Sequence, residues 1–170
     1  DANLREEMRV ELKAIQHRIG VTTIFVTHDQ SEALAMSDKI IVMSAGHVEQ
    51  VGVPEEVYNA PQSEFVASFL GASNIVDAVV KKADAKSVLI EALPFGQLPL
   101  PRQNAVNLAT GDAARLVVRA EKVKLSAKPK GGKQAATGII EAVDYQGQLA
   151  RYFVRSADTQ LQVMGMIDGT

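Results

Sequence analysis

The 170-residue sequence contains 18 Lys and Arg residues against 20 Asp and Glu residues, which gives a formal net charge of −2. This slightly acidic balance provides no basic surface for nucleic acid. The absence of cysteine excludes disulfides and thiolate metal sites and fits a reducing compartment, and no apolar run reaches the roughly 20 residues that span a bilayer.

The first predicted element is an amphipathic helix that ends at Gly20. Asn3 followed by Glu6 fits a capping box at its start, and Gly20 fits the C′ position that ends a helix. The apolar residues recur at spacings of 4, 4, 3 and 4, which places them on one helical face. These residues are Leu4, Met8, Leu12, Ile15 and Ile19.

A short strand is predicted next, over the sequence TTIFVTH, which ends in His28. Its β-branched residues are typical of strands that are buried on both faces of a parallel sheet. Asp29 followed by Glu32 repeats the capping-box spacing and predicts a short helix over QSEALAMS.

A hairpin and two short helices are predicted after this helix. The runs KIIVMS and HVEQVG read as strands joined by a tight Ala-Gly turn. Pro54 suits the first turn of a helix over PEEVYNA. In the following segment, QSEFVASFLG, a single helical face is predicted to carry Phe65, Val66, Phe69 and Leu70.

The character of the sequence changes near residues 71–74. Helical periodicity fades, and short β-rich runs recur at the spacing expected of a small barrel or sandwich. These runs are NIVDAVV, SVLIEAL, ARLVVRA, TGIIEAVDY, ARYFVRS and QLQVMGM. We therefore expect a domain boundary at about residue 72, with an all-β module after it and a solvated loop at Lys128–Lys133.

The α/β segment before this boundary is not expected to form a sheet on its own. Strands that are buried on both faces need neighbouring strands, and residues 1–71 supply few of them. We expect the missing strands of a larger doubly wound domain to precede Asp1.

The residues alone leave two roles open for His28. In open α/β sheets, ligands bind outside the carboxyl ends of the strands, where an imidazole can donate a hydrogen bond to a phosphate oxygen. A structural histidine at a strand end fits the same position, and spacing alone favours this structural role.

Longer phrases carry a family resemblance. VTHDQSEA, DKIIVMSAGHVEQVG and PEEVYNAP lie within residues 1–71, which closely resemble the C-terminal half of the ATP-hydrolysing subunit of ABC importers. The resemblance is to the branch that imports sugars, polyamines and ferric iron. In the β part, VVRAEKVKLS and GIIEAVDYQGQLARYFVRS resemble the TOBE-type regulatory domain of that branch.

The resemblance implies a fold and roles for several residues. The expected fold is an α/β remnant of a P-loop NTPase domain over residues 1–71, followed by an all-β OB-like (TOBE) barrel over residues 72–170. His28 matches the switch histidine, which contacts the γ-phosphate and helps to orient the attacking water. Asp1 matches the D-loop aspartate at the nucleotide-sandwich interface, although it reads equally well as a residue preceding the helix cap.

The resemblance also bears on two short segments. Ser37 and Asp38 match a turn between the switch-histidine helix and the next strand. Arg119-Ala120-Glu121 stands where the family has Arg-Pro-Glu. These two charged residues either anchor a strand end by polar contacts or form a weak surface ion pair.

Several motifs of the family are absent from this sequence. It has no G-x-x-x-x-G-K-[ST] segment to cradle phosphates, no apolar run that ends in Asp-Glu, and no signature loop. One histidine without those groups cannot position a phosphoryl transfer. We therefore expect a fragment that is inactive alone and has no metal site, whereas the intact parent uses ATP and Mg²⁺.

The expected function of the parent is ATP hydrolysis coupled to solute uptake, with polyamine or ferric iron as the favoured solute. The expected partners are a second copy of the chain, transmembrane permease subunits and, indirectly, a solute-binding protein, at the cytoplasmic face of the membrane. The alternative function is a non-enzymatic TOBE or OB module that binds a small ligand or mediates oligomerisation. Nucleic-acid binding is the least favoured, because the sequence is acidic and has few aromatic residues for stacking.

Overall fold

The computed structural model describes residues 2–102, 107–127 and 135–166. The chain divides into two compact units, Asp1–Gly71 and Ala72–Thr170. The boundary expected at about residue 72 lies at this division. Asp1 and the predicted loop Lys128–Lys133 fall outside the described residues.

The first unit contains four helices and one hairpin among its described residues. Their bounds are α1 Ala2–Ile19, α2 Gln30–Met36, β1 Ile40–Ser44, β2 His47–Gly52, α3 Pro54–Asn59 and α4 Glu64–Phe69. The predicted end of α1 is confirmed, since Gly20 adopts a φ of 71° and donates its N–H to the Gln16 carbonyl at 2.9 Å. The predicted cap at Asn3 is wrong, because Asn3 already lies inside the helix.

The predicted hairpin is confirmed. Strands β1 and β2 pair in antiparallel register through a turn in which Ala45 and Gly46 have φ values of 48° and 82°. Two consecutive residues with positive φ fit the right-handed twist of a tight hairpin. Ile40 and Val42 on one face of β1 are buried, and they pack with Val57 in the core of this unit.

The strand predicted over TTIFVTH is not observed. Residues 21–27 follow α1 without regular secondary structure, and their apolar side chains are exposed. The physical reason is pairing, because a strand forms only against a neighbour that satisfies its N–H and C=O groups. None of the described residues of this unit pairs with the segment.

The apolar face predicted for α4 is split between core and surface. Val66 and Leu70 are buried in the core with Val57. Phe65 and Phe69 are exposed instead and stack on each other, with ring centroids 5.6 Å apart. Each residue of an α-helix is rotated by about 100° from the one before it, so the direction of Val66 and Leu70 differs from that of Phe65 and Phe69.

The second unit is built of β-strands, as predicted. Their bounds are β3 Ser73–Ala83, β4 Ser87–Ala92, β5 Gly96–Pro101, β6 Ala113–Arg119, β7 Ile139–Gln146, β8 Leu149–Ser156 and β9 Thr159–Met166. Strand β5 was not among the predicted β-rich runs. It carries Pro99 and Pro101 and lies at the edge of its sheet, which is where strand prolines are tolerated.

The described strands of this unit form two open antiparallel sheets, and no barrel closes among them. Their orders are β5-β4-β3-β6 and β7-β8-β9. The core lies on the inner face of the first sheet and also includes Leu161 from β9. Strand β7 is exposed at every residue. The predicted OB-like β domain is thus confirmed in its all-β character and not in closure.

One buried amide joins the two sheets of the second unit. The Asn74 side chain on β3 accepts a hydrogen bond from the Gln162 N–H at 2.6 Å and donates one to the Gln162 carbonyl at 2.8 Å. The side chain therefore pairs with β9 as a neighbouring strand would. Because Asn74 is only 5% exposed, its polar atoms need these partners.

Arg119 ends strand β6 and is also buried. Its guanidinium donates a hydrogen bond to the Ser73 hydroxyl at 2.6 Å, across the β3–β6 pair. A short 3-10 helix, Ala120–Lys122, follows. Of the two readings of the Arg119-Ala120-Glu121 segment, the structure supports the polar anchor of a strand end for Arg119.

Candidate functional site

His28 lies in the short connection between residues 21–27 and helix α2. Its imidazole is exposed and makes no hydrogen bond within the described part of the chain. The residues on both sides are held instead. The Thr27 hydroxyl accepts the Asp29 N–H at 2.9 Å and donates to the Glu32 carboxylate at 2.8 Å.

Asp29 caps helix α2, as its capping-box spacing predicted. Its carboxylate accepts the N–H groups of Ser31 and Glu32 at 2.9 and 3.2 Å. The pKa of Asp29 is lowered, chiefly by the Ser31 hydroxyl and the Glu32 N–H, with a smaller contribution from the charge of Arg9. The cap is therefore ionised at neutral pH, which favours the helix start.

Two basic residues of α1 connect that helix to α2. The Arg9 guanidinium lies 3.3 Å from the Glu32 carboxylate and 3.8 Å from that of Asp29. One turn further along, Lys13 donates to the Ala35 carbonyl at 2.9 Å. The Arg9 contact thus reaches the connection that carries His28, whereas the Lys13 contact reaches the far end of α2.

The structure places the remaining predicted site residues as follows. Asp1 lies outside the described residues, so its expected D-loop role stays a prediction. Ser37 follows α2 and donates its N–H to the Ala33 carbonyl at 3.3 Å, and Asp38 stands in the bend before β1. Within the described part of the chain, neither residue makes a hydrogen bond to His28.

The described residues do not amount to a complete nucleotide or metal site. Among them, no group of three His, Cys, Asp or Glu side chains could hold a metal ion. His28 fits a single contact to a phosphate oxygen. Asp29 and Glu32 are engaged by the helix cap, Thr27 and Arg9, so they are not placed to coordinate Mg²⁺.

A groove in the second unit bears on the alternative of a small-ligand module. It runs beside β3 and β6, and its charged side chains include Asp77, Glu91 and Arg115. Asp77 pairs with Arg115 at 2.8 Å, and Glu91 pairs with Lys81 at 2.6 Å. Asp158 also lines the groove, so acidic side chains outnumber basic ones there.

Sequence reasoning missed Arg9 as a member of the candidate site. Its contact to Glu32 spans 23 positions of the chain, and no periodicity or motif around Arg9 indicates a partner at that distance. Thr27 was read only as part of a strand. Thr27 lies beside His28 in the irregular segment observed where a strand was predicted, and Arg9 contacts Glu32, the partner of Thr27.

The described helices include none that is long and apolar enough to cross a membrane.

Comparison with known proteins gives matches over both units. A family model for the TOBE domain matches residues 116–170. Three similar proteins are spermidine/putrescine import ATP-binding proteins PotA, from Acidothermus cellulolyticus, Pseudomonas fluorescens and, as PotA 1, Pseudomonas aeruginosa. They are 40%, 44% and 42% identical over 100%, 96% and 100% of this chain. The chain spans 44%, 43% and 45% of their respective lengths.

Proposed function

Because the chain is related over its whole length to the ATP-binding subunits of ABC importers, we propose that it forms the C-terminal part of such a subunit. Residues 1–71 then belong to the distal part of the ATP-binding domain, and residues 72–170 form its TOBE-type regulatory domain. The observation that carries the proposal is the extent of the similarity. A match to the TOBE domain alone would cover only residues 116–170.

His28 supplies the switch histidine of the proposed subunit. It is exposed and stands on a connection whose main chain is held by Thr27 and Asp29, which suits a side chain that meets a ligand. In that role it contacts the γ-phosphate of ATP and helps to orient the attacking water. Asp1 takes the D-loop position at the interface between two subunits.

The remaining ATP-binding groups lie outside this chain in the proposal. A phosphate-cradling loop with its lysine, Mg²⁺ ligands and a general base are required for phosphoryl transfer. The sequence contains no G-x-x-x-x-G-K-[ST] segment. The 170-residue chain alone is therefore expected neither to hydrolyse ATP nor to bind it tightly.

The proposed setting is a membrane-associated importer. Two copies of the subunit close around ATP, and this motion acts on transmembrane permease subunits that receive solute from a binding protein. The subunit sits peripherally at the cytoplasmic face of the membrane. Polyamine is the favoured solute over ferric iron, because the similar proteins are named for spermidine and putrescine import.

The test is ATP hydrolysis by the full-length subunit that carries this chain. We expect His28→Ala to lower kcat by about 100-fold or more, the range for loss of a residue that assists proton transfer or water positioning. His47→Ala is the matched control, because His47 is also exposed but lies on hairpin strand β2. Full turnover in His28→Ala would overturn the role of His28, and no turnover in the wild-type subunit would overturn the ATPase assignment.

The solute is tested by uptake. Cells that lack their own polyamine and ferric-iron importers are supplied with the subunit and its neighbouring permease and binding-protein genes. We expect uptake of labelled spermidine and none of ferric iron. Uptake of iron alone would contradict the polyamine assignment and leave the importer assignment in place.

A further inference from the structure

The Thr27 hydroxyl makes two hydrogen bonds in the connection that carries His28. It accepts the Asp29 N–H and donates to one oxygen of Glu32. In an ordinary capping box, a glutamate at this position would bond the N–H of the cap residue directly. Here Thr27 stands between them, so the interaction fixes the residue before His28 as well as the residue after it.

Glu32 links this arrangement to helix α1. Its Oε2 accepts the Thr27 hydroxyl, while its Oε1 lies 3.3 Å from the Arg9 guanidinium. The Arg9 and Glu32 side chains are only 17% and 22% exposed, so solvent screens this ion pair less than a surface pair. Both carboxylate oxygens are therefore committed to holding the connection against α1.

The His28 imidazole makes no hydrogen bond of its own among the described residues, so its position depends on the main chain that carries it. We infer that Arg9, Thr27 and Glu32 are positioning residues that hold His28 at the end of a relay running from helix α1. This inference rests on the proposed function, since it assigns the relay to the same histidine. The Arg9–Glu32–Thr27 contacts connect helix α1 to the residue that precedes His28.

The sharpest test compares two substitutions at Thr27 in the full-length subunit. Thr27→Val keeps the shape of the side chain and removes both hydrogen bonds, whereas Thr27→Ser keeps the hydroxyl. We expect Thr27→Val to lower kcat about tenfold with an unchanged KM for ATP, since loss of a hydrogen bond to a charged group is worth about 1.5 kcal/mol or more. Thr27→Ser is expected to retain kcat within about twofold of wild type.

A second pair of variants separates positioning from general stability. Arg9→Met removes the contact to Glu32, and Lys13→Met removes a second α1–α2 contact, from the Lys13 side chain to the Ala35 carbonyl. We expect Arg9→Met to lower kcat about five- to tenfold, by loss of a hydrogen-bonded ion pair. Lys13→Met should leave kcat unchanged. Equal losses of kcat in both variants would contradict the relay.

The positioning of His28 can also be tested on the 170-residue chain by NMR, without measuring ATP hydrolysis. In NMR spectra with labelled histidine, Thr27→Val is expected to shift the ring signals of His28 and leave those of His47 unchanged. Unshifted His28 signals would contradict the inference. If the wild-type subunit hydrolyses ATP and His28→Ala abolishes this, but Thr27→Val and Arg9→Met turn over like wild type, the relay is wrong and the proposed function stands.

Discussion

Ile24 and Val26 in the first unit are 89% and 90% exposed, whereas Val80 and Val88 in the second are 1% and 0% exposed. All four lie in runs rich in β-branched residues. The difference is in their neighbours. Val80 lies on β3 and Val88 lies on β4, and these two consecutive strands pair with each other in antiparallel register. The segment with Ile24 and Val26 has no pairing strand among the described residues.

The comparison shows that a run of apolar residues indicates a strand only together with its pairing partners. Antiparallel hairpins bring those partners from the adjacent sequence, whereas parallel strands obtain them from distant segments. The apolar face of α1, which includes Met8, Leu12 and Ile19, is exposed in the same way. Under the proposed function, the rest of the ATP-binding domain covers these surfaces.

Among the variants that test this comparison, Leu70→Ala is expected to lower the free energy of unfolding most. Leu70 is 1% exposed in the small core of the first unit, and such a truncation costs about 2–5 kcal/mol. We expect hydrogen exchange to accelerate through β1, β2 and α4 while β3 and β4 keep their protection. Ile90→Ala, in the core of the second unit, is the matched control and should give the reverse pattern. Acceleration in both units from either variant would show that they unfold together.

An intermediate effect is expected from Asn74→Leu in the second unit. The change leaves the Gln162 N–H and carbonyl without their partner, which costs about 1–3 kcal/mol. Chemical denaturation of the chain should show this loss, and the Gln162 amide should exchange faster. Gln146→Leu is the control, because the hydrogen bond of its side-chain amide to Asp144 is exposed. Equal stability of the two variants would show that the Asn74 bridge contributes nothing.

The smallest effect is expected from Ile24→Ser combined with Val26→Ser. In the 170-residue chain the two exposed side chains have little burial to lose, so the free energy of unfolding should change by no more than about 0.5 kcal/mol per site. In the full-length subunit the same changes should lower stability by about 1.5 kcal/mol or more per side chain, if the proposed domain buries them. A thermal melt of each form measures the contrast. Equal small losses in both forms would contradict the proposed burial.

Local signals in the sequence predicted much of the fold. Gly20 marked the end of α1, Asp29 marked the start of α2, and the Ala45–Gly46 turn marked the hairpin, because each depends on neighbours only a few residues away. Strand β5 was missed because prolines are poor indicators of strands, and its edge position is not visible in the sequence.

The candidate site was less predictable than the fold. The role of His28 stays a prediction that rests on its surrounding phrases, whereas the cap at Asp29 follows from its spacing to Glu32 and is confirmed. The contact of Arg9 with Glu32 depends on how α1 packs against α2, which no local pattern encodes. The bridge from Asn74 to Gln162 spans 88 positions and was unpredictable for the same reason.

The Asn74 amide also makes the two edges of the three-stranded sheet different. It occupies the outer edge of β9 at Gln162, so a strand arriving on that side would have to displace it. On the opposite side, β7 pairs only with β8 among the described residues and is exposed along its length. Among the described residues, Asn74 therefore covers the β9 edge at Gln162, and no comparable side-chain contact covers the outer edge of β7.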